Sequence, residues 1–224
     1  MIRKFTFNNQ YIFNELPQSD KELFEKVMHN QKYHKSQAVF TQESIPSRMF
    51  FVKEGKVKKF KVDAEGREQI IYIYNAGEFF GYSALLSDET YSTSTTAIED
   101  STISFIYKED FFRILDNSTS FSRLLLKSLS HEFRVTTNLM AVLSQRTVRE
   151  RVALCLLILH NKYKVSEGKE ISISRLDLAN MVGTVIETLA RILHDLRNEN
   201  LIALEGKKIK ITNTEGLEAI SNYY

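Results

Sequence analysis

The chain has 224 residues, 43% of them hydrophobic and 26% charged, with a formal net charge of +2. That length is enough for two modest domains with real cores, and the composition is that of an ordinary soluble protein. No apolar run is long enough to span a bilayer, the N-terminus MIRKFTFNNQ lacks the apolar segment of a signal peptide, and the single cysteine rules out an internal disulfide, so a reducing cytoplasm is the expected setting.

Residues 19–30, SDKELFEKVMHN, have helical spacing, with Leu23, Phe24 and Val27 on one side and Ser19 and Glu22 as a capping box. From Ala38 to Tyr107 the pattern changes to short runs rich in β-branched and aromatic residues: AVFTQ, RMFFVKEG, KVKKFKVD, REQIIYIYNAGEFF, TSTTAIED and TISFIYKE. Gly55, Gly66 and Gly77 recur every eleven residues, one per turn. This predicts a β-sandwich or a closed roll. Residues 108–116 form a turn or two of helix, and 119–143 a long one. In the long helix Leu126, Leu129, Phe133, Thr136, Met140 and Leu143 step by three and four in alternation, an a/d seam of about two and a half heptads. Such a stripe can pack on the strands or against a second copy. The pattern breaks at Leu143–Arg146, and Thr147 with Glu150 caps a new helix carrying Val148, Val152, Cys155, Leu156 and Leu159 to about Tyr163. A domain boundary is expected at this cap. A polar loop, KVSEGKE, then leads to a short strand, ISIS.

Residues 174–204 read as two short helices joined by a tight turn. Ser174 and Asp177 cap the first, with Leu178, Ala179 and Val182 apolar, and Gly183 turns the chain. The second is expected to start at Thr184, with Val185, Leu189, Ile192, Leu193 and Leu196 as its buried stripe. Its outer face is left with Ile186, Glu187, Ala190, Arg191 and His194. A small residue beside hydrogen-bonding side chains near a helix N-terminus is what major-groove reading requires. Leu201–Leu204 and Lys208–Thr212 flank Glu205-Gly206-Lys207 as a hairpin wing, where Lys207, Lys208 and Lys210 could meet phosphates. Helix-turn-helix pairs also occur as plain packing units, and Glu187 with Arg191 would then be a surface ion pair. Residues 144–224 hold 12 of the basic and 10 of the acidic side chains, so the whole positive excess lies here, although it is small.

The run DLANMVGTVIETLARILHDLRNENLI resembles the DNA-binding signature of the Crp/Fnr family of transcription regulators, at Gly183, Glu187, Thr188, Arg191, Leu193, Leu196, Leu201 and Ile202. The resemblance, which spans roughly residues 12–215, implies an α+β protein. It would have an N-terminal cyclic-nucleotide-binding-type β-roll (1–118), a dimerisation helix and hinge (119–146), and a C-terminal winged helix-turn-helix (147–224). It implies Glu187 and Arg191 as base readers and Arg175 as a phosphate contact. It also implies a parallel homodimer through the α-helical seam, a pseudo-palindromic operator duplex, and RNA polymerase as a further partner. Where many members have Ser-Arg before Glu-Thr, this chain has Val185-Ile186. Isoleucine can only touch a thymine methyl, so the operator should differ from that of the type member.

The same resemblance places a candidate effector pocket at Gly81, Tyr82, Ser83, Ser92 and Thr93, with Thr136 and Thr137 from the long helix. The family's ribose-binding glutamate falls on Tyr82 and its phosphate-binding arginine on Ser92. A buried phosphodiester would therefore lack its main partner, and cyclic AMP is not the expected ligand. An iron–sulfur cluster needs several thiolates, and only Cys155 exists. Haem, bound elsewhere in the family, finds no support in the isolated histidines His29, His34, His131, His160 and His194. The effector is thus unidentified, and no metal site is expected. No nucleophile elbow, phosphate loop or HExxH motif argues for an enzyme. The alternative to a regulator is a sensor or interaction module whose helix-turn-helix no longer reads DNA.

Overall fold

The computed structural model describes residues 12–163 and 170–221. They fall into two compact units that divide inside one long helix, between Arg134 and Val135. The first unit opens with α1 (Ile12–Glu15) and α2 (Gln18–Val27). Ser19 and Glu22 do not cap α2. Pro17 occupies the cap, and its carbonyl accepts the N–H groups of Asp20 and Lys21, both at 3.1 Å. With φ at −55°, Pro17 starts the helix early and leaves Ser19 already inside the first turn.

Strands β1 (His29–Tyr33), β2 (Ala38–Phe40), β3 (Arg48–Glu54), β4 (Lys56–Val62), β5 (Glu68–Asn75), β6 (Phe79–Phe80), β7 (Ser94–Ala97) and β8 (Ser101–Tyr107) follow, with a short α3 (Tyr82–Ser87) after β6. They form two antiparallel sheets, ordered β1-β8-β3-β6 and β2-β7-β4-β5. Strand alternation sorts the aromatic residues into two layers. Phe50 meets Phe40, Phe80 and Phe105 at ring separations of 5.6, 5.2 and 6.4 Å. Its neighbours Met49 and Phe51 instead join Phe24, Phe79, Phe111 and Phe121 in the core under the helices. Gly81 is required between these layers. Its φ is +80°, and a Cβ there would lie 2.9 Å from the Phe50 ring. The helix expected over 19–30 ends at Val27, and His29 and Asn30 open β1 instead; four of the five residues of β1 are exposed, so it carries no apolar alternation. It lies at a sheet edge, paired only with β8 in its sheet.

After β8 come α4 (Lys108–Asn117) and α5 (Thr119–Gln145). Ser118 starts α5: its hydroxyl accepts the Phe121 N–H at 3.0 Å and donates to the buried Asp20 of α2 at 2.5 Å. The expected apolar seam of α5 does not pack on the strands. Leu126, Leu129, Phe133 and Met140 are 64, 38, 75 and 68% exposed. Thr136 is exposed as well, and Leu143 is half-buried.

In the second unit α6 (Val148–Lys162) has the capping box expected from Thr147 and Glu150; the Glu150 carboxylate accepts the Thr147 N–H at 2.7 Å. Val152 through Leu159 are all buried, which makes α6 the central helix of this unit. Cys155 is among them, and burial pushes its thiol up to about 12, so it is an inert core residue. Around α6 lie α7 (Arg175–Val182), α8 (Ile186–Asn198) and α9 (Thr214–Ser221), with a small sheet ordered β10 (Ile202–Glu205), β11 (Lys208–Ile211), β9 (Ile171–Ser172). No helix among the described residues is long and apolar enough to cross a membrane. The polar loop 164–170 falls outside the described residues except for Glu170.

Candidate nucleic-acid interface and effector region

The helix pair α7–α8 is built from local rules. The Ser174 hydroxyl accepts the Asp177 N–H at 2.9 Å and donates to its carboxylate at 2.6 Å, capping α7. Gly183 ends α7 in the left-handed conformation, φ 73°, and its N–H returns to the Ala179 carbonyl at 2.9 Å. The cap of α8 falls one residue later than the sequence suggests. Val185 is extended (φ −89°, ψ 156°) and takes the cap position, and no side chain caps the helix. Thr184 is therefore a half-buried turn residue, and Val185 is 61% exposed rather than part of the buried stripe. The stripe itself consists of Leu189, Ile192, Leu193 and Leu196, all under 8% exposed.

The opposite face of α8 is open. Ile186, Glu187, Ala190, Arg191 and His194 are all exposed. His194 Nδ1 is 3.0 Å from the Asn198 side-chain amide one turn on. Arg175 is half-buried and donates to the Gly206 carbonyl at 3.1 Å, so it ties α7 to the turn of the wing. Burial lowers its pKa from the usual arginine value, and Nη1 has no hydrogen-bond partner among the described residues. The wing is the predicted hairpin, β10 against β11 around Gly206. Lys207 and Lys208 are exposed on it, and Lys208 pairs with Glu170 at 2.8 Å. Two α6 arginines brace this assembly, a role that local spacing does not reveal. Arg149 donates to the Glu199 carboxylate at 2.6 and 2.7 Å. Arg151 donates to the Leu143 carbonyl at 3.1 Å and to the Gly183 carbonyl at 3.0 Å.

In the roll, the candidate effector residues are disposed unevenly. Ser83 and Ser92 are exposed, while Tyr82 and Thr93 are buried. Thr136 and Thr137 are exposed on α5, in the other compact unit. Tyr82 is committed elsewhere: its hydroxyl donates to Glu132 Oε1 at 2.5 Å and shares a hydrogen bond with Ser128 Oγ at 3.0 Å. Tyr74 and Lys59 reach Oε2 of the same carboxylate at 3.4 and 3.2 Å. Burial first, and the Glu132 charge second, push both phenols well above the ordinary tyrosine value, so they remain donors. Sequence reasoning missed Glu132, Lys59, Tyr74 and Ser128. Tyr82 and Glu132 are 50 positions apart, and no spacing rule joins them. No arginine stands at the Ser92 position, and the buried charge beside Tyr82 is already a carboxylate.

Two family descriptions match the chain: a cyclic nucleotide-binding domain over residues 30–118 and a Crp-like helix-turn-helix domain over residues 150–220. Among curated proteins, it is 26% identical to the cyclic AMP receptor protein of Thermus thermophilus, over 94% of this chain and 96% of that one. It is 27% identical to the transcriptional activator protein anr of Pseudomonas aeruginosa, over 89% and 83%. Among solved structures, FixK2 of Bradyrhizobium japonicum superposes with a TM-score of 0.79 at 23% identity, covering 87% of this chain and 97% of that one. CLP, a c-di-GMP responsive global regulator of Xanthomonas campestris, does so with a TM-score of 0.75 at 22% identity, covering 87% and 99%.

Proposed function

Because this chain belongs to the Crp/Fnr family of transcription regulators, we propose that it binds a pseudo-palindromic operator duplex as a homodimer, each copy placing α8 in the major groove. The observation that carries this reading is the division of α8 into a fully buried apolar stripe and an open face of Ile186, Glu187, Ala190, Arg191 and His194. Glu187 accepts from a cytosine amine and Arg191 donates to a guanine, while Ile186 lies against a thymine methyl and Ala190 permits close approach. Thr184, Arg175, Lys207 and Lys208 supply backbone contacts. The seam of exposed Leu126, Leu129, Phe133, Thr136 and Met140 with half-buried Leu143 joins the two copies and sets their readers about one DNA turn apart. In functional terms the chain divides into the sensor roll 1–118, the dimer helix and hinge 119–146, and the DNA reader 147–224. It works in the cytoplasm, with RNA polymerase as a further partner.

A salt titration of binding to a duplex selected from a random pool tests the reading. The log–log slope is expected to be several units negative, about 0.9 per phosphate neutralised. A slope near zero, or no selectable duplex, would instead favour a sensor or interaction module that no longer reads DNA.

One relative is named a cyclic AMP receptor protein, and one solved structure is described as a c-di-GMP responsive regulator. For this chain the Tyr82–Glu132 arrangement argues against cyclic AMP. Isothermal titration with cyclic AMP is expected to give no heat at micromolar concentrations. Saturable micromolar binding would overturn that expectation.

A further inference from the structure

The cluster around Glu132 has a consequence for how this protein is switched. Glu132 and Ser128 stand one helical turn apart on α5. The roll reaches this turn with Lys59 from β4, Tyr74 from β5 and Tyr82 from α3. The Glu132 side chain is only 12% exposed, and that of Lys59 22%. Charge is balanced inside the cluster by the lysine, and both carboxylate oxygens are engaged. Aromatic rings pack against one another in the roll: Phe40 stacks on Tyr91 at 3.8 Å, and Phe80 stacks on Phe50 at 5.2 Å and on Tyr74 at 5.1 Å. Both oxygens of the Glu132 carboxylate are thus met by side chains of the roll.

We propose that Glu132 is an internal clasp that fixes α5 on the β-roll, so that the chain reaches its operator-binding state without a small-molecule effector. The proposal rests on the regulator reading above and adds how the roll is used. Glu132 is a positioning residue. It lies two residues before the division between the compact units, and α5 runs on unbroken from it to Gln145.

The test uses the full chain, unfolded in urea, dialysed and refolded. Operators are selected from a random duplex pool with and without the small-molecule fraction of a cell extract. Native mass spectrometry of the refolded protein is expected to give the mass of the chain, or a whole multiple, with nothing added, while the protein binds the selected duplex. Glu132→Ala and, separately, Tyr82→Phe are expected to lower operator affinity at least tenfold and to speed deuterium exchange over residues 125–134. Tyr82→Phe removes one hydroxyl and serves if the alanine variant fails to fold. Binding that requires the extract fraction, or wild-type affinity and exchange in both variants, would overturn the clasp. A pool that yields no duplex under either condition sinks the regulator reading instead, and the exchange measurement alone then judges the clasp.

Discussion

Replacing Arg191 with alanine is expected to weaken binding to the matched operator by about 1–3 kcal/mol while leaving the fold intact. The size follows from the proposed contact, in which the guanidinium would donate two hydrogen bonds to one guanine edge. The fold is spared because Arg191 is exposed and the helix is anchored by Leu189, Ile192, Leu193 and Leu196 on its other side. The loss should be specific in sequence. At a duplex with the cognate guanine replaced, wild type and variant should bind alike, since neither has its partner there. Fluorescence anisotropy on the two duplexes measures both numbers. Unchanged affinity at the matched site would mean that α8 is not the reading element.

The substitution Phe133→Glu is expected to split the dimer. Phe133 is 75% exposed in the isolated chain, between Leu129 and Met140 on the same stripe of α5. A stripe of that size left to water is the kind of surface that a second copy covers. In a two-fold seam one substitution places two carboxylates in the same apolar contact, and unpaired buried charge costs several kcal/mol. Sedimentation equilibrium should show monomers at concentrations where the wild type is dimeric. The exposed site cannot damage the monomer core, so its thermal transition should survive. A variant that still sediments as a dimer would move the interface off α5.

Much of this was legible because the signals are local. The Thr147–Glu150 box, the Gly183 turn and the Gly206 hairpin each depend on residues within a few positions of one another, and each forms as expected. Thr184 looks like a cap, yet the chain stays extended through Val185, so α8 starts later than the local pattern predicts. The Ser19–Glu22 box failed for a similar reason, since Pro17 set the helix start first. Strand β1 was invisible because its order comes from pairing with β8, not from its own side chains. The tie between Asp20 and Ser118 and the group around Glu132 bridge 98 and 50 positions and have no sequence signature at all. Position within the family pattern identified Tyr82 as unusual. Only coordinates could say what its hydroxyl does instead.

Arg151 has a mechanical consequence. One rigid planar group grips the carbonyl of Leu143, in the last turn of α5, and that of Gly183, at the bend before α8. The spacing between those two oxygens is thus set by the width of a guanidinium, much as a yoke sets the spacing of two shafts. The last turn of α5 and the bend before α8 are thus held by a stiff connector rather than by slack chain.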